Sequence, residues 1–261
     1  MEVKSHDTAV KEKREGLARS VLVEFGESLP ELRLLAFFDD CDWVEIKSPR
    51  ELGSDNRGFY TAIKENTFHG TLTWPWQLTN KVFGNNHWTP DDERFFDHLI
   101  YLHGSTCADE TGLIMTFSHE LQHFAQYGFR RKLWAVSRLI PRLPRDLIER
   151  IGLTWHDVPH EKEARIEAKR VGLRLCGSEA VGQYIERRIS ENITDSDTED
   201  WRLSQRLDLS IPYDLEAETK RVLQRLRPYR RELENVLQEM KSGPYSEEYK
   251  DIDLSDYFDA P

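Results

Sequence analysis

Apolar residues between positions 111 and 128 recur as Ile114, Phe117, Leu121 and Phe124, at intervals of 3, 4 and 3, which is one stripe of an α-helix. A second stripe on the same segment, Thr116, His119, Glu120, His123 and Tyr127, is polar yet carries no Lys or Arg, as suits a cleft lining better than a solvated face. The segment contains no Pro and closes on Gly128, so a helix is predicted over 111–128. The same reading predicts helices over 8–25, stopping at Gly26, and from Thr89, with Pro90 behind it, to His103 before Gly104. It predicts two more over 159–177, from Pro159 to Gly177, and over 178–190. Cys41 to Lys47, Phe59 to Lys64 and Phe68 to Trp76 read as strands divided by the turn residues of 54–58 and 65–67, and they predict a small antiparallel sheet. Within it, Thr71 to Trp74 is a candidate edge strand.

Toward the C-terminus, Val222, Leu226, Tyr229, Leu233, Val236 and Met240 alternate at spacings of 4 and 3, a short seam interrupted at Pro228 and expected to pack within the chain. Glu191 to Asp200 is acidic and polar and is expected to be a mobile loop; Gly243 to Pro261 is acidic and expected to be disordered. At 261 residues with 38% apolar and 11% aromatic content, the chain can bury a proper core. No window approaches the length of apolar sequence that a membrane span needs.

A net charge of −11 argues against a nucleic-acid surface, although the charge is unevenly spread. Arg130, Arg131, Lys132, Arg138, Arg142, Arg145 and Arg150 face only Asp146 and Glu149 over 129–150, predicting an amphipathic basic helix with its charged side in water. Cys41, Cys107 and Cys176 are scattered without a CxxC, and the first residues have neither the apolar core of a secretory leader nor the acid-poor character of a transit peptide. A cytoplasmic, reduced protein is expected, with a monomer favoured.

His119-Glu120-Leu121-Gln122-His123 gives the polar stripe its chemistry. Residues four apart on a helix stack on one face, so both imidazoles can bind one zinc ion, and Glu120 between them is placed to take a proton from a metal-bound water. A catalytic zinc needs a third protein ligand and an open fourth position. The acid-rich start of the 159–177 helix is the best source: Glu163 and Glu167 share a face at i, i+4, so one can ligate while the other holds a ligand imidazole, with Glu161 and His160 as competitors. His160, Tyr127 and Arg165 are candidates to stabilise an oxyanion, and no spacing selects among them.

With HExxH on one helix and Glu163-Ala164-Arg165-Ile166-Glu167 on a later one, the chain resembles the zincin metallopeptidases, in their gluzincin pattern. That resemblance covers about sixty residues. It implies an α+β fold in which a small antiparallel sheet precedes a mainly helical region, and Zn2+ held by His119, His123 and Glu163. It also implies Glu120 as general base, Glu167 as the acid behind a ligand, and hydrolysis of peptide bonds in a protein substrate. The organisation expected is a metallopeptidase domain over 1–190 with its metal site in 111–177, a helical extension over 191–242 and a tail over 243–261. Two other readings stay open: a zincin-like module that binds without cleaving, and a metal-free helical protein that interacts through the seam.

Overall fold

The computed structural model describes residues 2–4, 8–26, 29, 34–38, 58–62, 98–102, 106, 108–154, 157–191, 195–243 and 246–258. These residues are mainly helical, which corrects the expected α+β class with its antiparallel sheet. Four short strands are described: β1 (Glu2–Lys4), β2 (Leu34–Phe38), β3 (Gly58–Ala62) and β4 (His98–Leu102). They pair in the order β1-β2-β4-β3, with β1 and β4 both parallel to β2 and only β3 antiparallel to β4. Of the three strands expected, Phe59 to Lys64 overlaps β3, while Cys41 to Lys47 and Phe68 to Trp76 lie outside the described residues. The helix expected from Thr89 to His103 is also corrected where it is described, because His98–Leu102 is β4. Its alternation places Ile100 and Leu102 on one face, and both are fully buried.

The chain divides into two compact units, Met1–Phe124 with Glu167–Arg206, and Ala125–Ile166 with Leu207–Pro261. The first contains α1 (Thr8–Phe25), which stops at Gly26 with φ of 50°, the left-handed conformation that ends a helix at a glycine. Helix α2 (Glu110–Ser137) begins behind Asp109, whose carboxylate accepts the Gly112 N–H at 2.7 Å. In this unit the predicted apolar stripe, Ile114, Phe117, Leu121 and Phe124, packs with Val21 and Phe25 of α1 and with Ile100 and Leu102 of β4. Met115, on another side of α2, joins Ala168, Val181, Tyr184, Ile185 and Trp201 from α4 (Pro159–Glu191) and α5 (Asp195–Arg206). Helix α5 occupies most of the segment expected to be a mobile loop.

The second unit contains the last turns of α2, a 3-10 turn at Ile140–Arg142 and α3 (Arg145–Arg150). The basic stretch is therefore three short elements rather than one helix. The unit also holds the first turns of α4, then α6 (Leu215–Leu226), α7 (Arg230–Ser242), α8 (Ser246–Tyr249) and α9 (Ser255–Phe258). Asp214 caps α6 by accepting from the N–H groups of Glu216 and Ala217. The seam residues Val222, Leu226, Leu233 and Met240 are buried within the chain. The tail is ordered over 246–258: α8 packs on α7, α9 packs on α6, and Tyr249, Ile252, Leu254 and Phe258 are buried.

One helix end differs from expectation and another agrees with it. Gly128 is not among the described glycines of positive φ, and α2 runs through it to Ser137, with one irregular residue at Arg130 (φ −136°, ψ 43°). At Gly177 the break is real: φ of 82° and ψ of 166° interrupt α4, so 159–176 and 178–191 are two helical segments joined at this glycine, as the sequence predicts.

Candidate metal centre

His119 and His123 project from successive turns of α2 with their Nε2 atoms 3.1 Å apart and their rings at 87°. Two nitrogens bound to one tetrahedral zinc at 2.0–2.1 Å lie about 3.3 Å from each other, close to this separation, which is also that of an N–H···N hydrogen bond between the two rings. His123 is buried and His119 half-buried. Glu120, which follows His119 on the same helix, is buried.

Two imidazoles and one carboxylate are the donor set of a catalytic zinc, which keeps its fourth position for water. Glu163, the acid that the resemblance nominates, is engaged elsewhere. Its two oxygens accept from the Arg130 guanidinium at 2.9 and 2.8 Å, and Oε2 also accepts from Gln126 Nε2 at 2.8 Å. Such a bidentate, charge-assisted contact holds a carboxylate in place. Glu167 pairs with Arg170, three residues on.

The first turn of α4, which carries Glu161, is fastened by its own backbone. Gln126 Nε2 donates to the His160 carbonyl at 3.0 Å, and the Tyr213 hydroxyl donates to the Pro159 carbonyl at 2.9 Å. Burial, reinforced by the Glu218 and Glu163 carboxylates, pushes the Tyr213 phenol well above the ordinary tyrosine range, so it remains a proton donor. His160 is itself almost fully buried, with Nδ1 2.7 Å from Ser137 Oγ and Nε2 3.3 Å from Glu161 Oε1.

Of the other oxyanion candidates, Tyr127 is packed edge-on against Trp134 with Arg131 over its ring, and Arg165 is buried. The basic stretch is largely matched by acids of its own unit: Arg138 meets Glu248 at 3.3 Å, Arg145 meets Glu149 and Arg150 meets Asp146. No helix among the described residues is long and apolar enough to cross a membrane.

Sequence reasoning passed over Gln126, Arg130, Ser137 and Tyr213. A signal for the first two was present: Gln126 and Arg130 stand 7 and 11 residues after His119, on the same helical face. Nothing in the local pattern singles out Ser137 or Tyr213. Comparison with protein-family models, with characterised proteins and with solved structures finds no match to this chain.

Proposed function

We propose that this chain is a zinc-dependent hydrolase that cleaves peptide bonds in a protein or peptide substrate. The observation that carries the reading is the convergence of the His119 and His123 Nε2 atoms to 3.1 Å, at the spacing a shared zinc requires. Glu161 is the third ligand in this reading because the carboxylate of Glu163 is committed to Arg130 and Gln126. Bound zinc would polarise the substrate carbonyl and lower the pKa of its water. Glu120, buried and next to His119 in sequence, would serve as the general base of such a site. The internal pairing of the basic stretch and the charge of −11 favour a protein substrate over nucleic acid.

The test begins with zinc per chain, by elemental analysis of protein purified without added metal, beside His119→Ala. About one zinc in the parent and almost none in the variant is expected. A mixed peptide library then separates hydrolysis from binding: new termini should appear with the parent, vanish with chelator, and be absent with Glu120→Gln, which should keep its zinc. Zinc without cleavage of any peptide or unfolded protein would reduce the site to a binding module. Absence of zinc in parent and variant alike, with none taken up on addition, would overturn the reading.

A further inference from the structure

We infer that the corner between α6 and α7, residues 220–231, is a docking surface for a short acidic segment of a partner protein; this goes beyond the zinc reading and does not depend on it. Lys220, Arg221, Arg225, Arg227, Arg230 and Arg231 are six cations in a run without a single acid, in a chain whose net charge is −11. Like charges this close in sequence repel one another, and only facing anions offset that.

Some of these cations are met within the chain. Lys220 pairs with Glu216, Arg221 with Glu218 and Arg230 with Glu234, each at 2.7 Å, and Arg225 donates to the carbonyls of Ile151 and Gly152. Arg227 and Arg231 are exposed, and neither meets an acid among the described residues. Arg227 opens the 3-10 turn Arg227–Tyr229, and the Arg230 N–H donates to its carbonyl, so Arg227 and Arg231 leave the backbone about one turn apart. Helix stability does not account for the run. The helix dipole favours Arg225 and Arg227 at the end of α6 but disfavours Arg230 and Arg231 in the first turn of α7.

The surroundings of the two arginines select the kind of anion. Val222, Leu223 and Leu226, the apolar residues of the run, are fully buried, so none is left to enter a lipid surface. Tyr229, its one aromatic residue, is half-buried, whereas single-stranded nucleic acid is held on exposed rings that stack with bases. Glu216 and Glu218 precede the run and Glu232 and Glu234 follow it, so a polyanion longer than the corner runs onto carboxylates. A short acidic segment fits, because each guanidinium fork takes a carboxylate through two parallel hydrogen bonds. The same unit already seats one acidic segment of its own on arginines, where Arg138 meets Glu248 at 3.3 Å and Arg131 donates to the Glu247 carbonyl at 3.1 Å.

The test is binding of fluorescein-labelled oligoglutamate to the full chain at low salt, by anisotropy. It compares the parent, the double variant Arg227→Glu with Arg231→Glu, and Arg145→Glu, which reverses an exposed cation elsewhere in the same unit. Melting temperatures should stay close, because all three side chains are exposed. The parent should bind, less tightly as salt is added, and the double variant should bind about tenfold more weakly. Arg145→Glu should stay within about twofold of the parent. In the unaltered protein the side-chain Nε–H resonances of Arg227 and Arg231 should shift as oligoglutamate is titrated. Absence of binding by the parent, or equal weakening in the double variant and Arg145→Glu, would overturn the inference. So would tighter binding of an oligonucleotide of equal charge or of vesicles containing phosphatidylserine. Self-association of the parent in sedimentation, abolished in the double variant, would replace the acidic partner with a second copy of the chain.

Discussion

Glu161 and Glu163 both lie in the first two turns of α4, so their order along the chain does not separate them as candidate ligands, but Glu163 satisfies Arg130 and Gln126. Under the proposed zinc reading, Glu161→Ala should remove most zinc binding. Glu163→Ala should keep zinc but lose about 1–2 kcal/mol of stability in urea, because it removes the carboxylate that accepts from Gln126 and from both ends of a half-buried guanidinium. Equal zinc loss in the two would show that Glu163 acts at the metal. Tyr213 makes a second prediction at this scale. Its phenol pKa is raised in the folded chain, so above the ordinary tyrosine value near 10 the unfolded chain releases this proton while the folded chain keeps it. The stability that the phenol contributes is whole below pH 10 and falls as pH rises beyond it. Urea unfolding between pH 9 and 11 should show a shallower alkaline decline for Tyr213→Phe than for the parent, and parallel curves would remove Tyr213 from that decline. Sequence made the histidine pair and Glu120 legible because i, i+4 spacing is a local property of one helix. The pairing of Glu163 with Arg130 was not legible, since the two are 33 residues apart.

At the scale of elements, glycine marked helix ends correctly only where the backbone takes positive φ. Gly26 and Gly177 do so, and the sequence places both ends; Gly128 is passed over, because a helix can run through a glycine when the residues beyond it gain tertiary partners. Beyond Gly128 those partners exist in Trp134, Ala135 and Val136, all buried, and in the Arg130 contact with Glu163. Gly177 is the opposite case, since φ of 82° with ψ of 166° is a region closed to residues with a Cβ, although no atom stands within 4 Å of where that Cβ would be. Gly177→Ala should accordingly cost about 1–3 kcal/mol from backbone strain alone. Gly182→Ala, which meets open space in the second segment of α4, should be neutral or slightly stabilising. Urea denaturation of the pair checks this, and equal effects would mean that the break at Gly177 is relaxed in solution. The strand between 98 and 102 was misread for a related reason. His-Leu-Ile-Tyr-Leu suits a strand at least as well as a helix, and a good N-cap at Thr89 does not fix the backbone nine residues further along.

For the whole molecule, hydropathy misjudged the acidic C-terminal segment. Over 243–261 the charge pattern reads as a chain too polar to fold, yet its few apolar side chains are spaced to land on α6 and α7, and those helices offer the seam they fill. Composition averages over that placement. Electrostatics take the same course, because Glu248, almost fully buried, meets Arg138, and the Glu247 carbonyl accepts from Arg131 at 3.1 Å, so the basic stretch meets part of the acidic tail. The tail is then a structural part of its unit, and Phe258 is its anchor: it is 1% exposed, with the Arg230 guanidinium 5.4 Å from its ring centroid. Phe258→Ala should cost about 3–5 kcal/mol, the range for emptying a buried aromatic site. Ile211→Ala removes a side chain that is 64% exposed and should stay within about 0.5 kcal/mol of the parent. Limited proteolysis gives the second arm, since cleavage of the parent between 246 and 258 should be slow and should accelerate in Phe258→Ala. An unchanged urea midpoint in that variant, with rapid cutting of the tail in both proteins, would return the segment to the disorder its composition suggests.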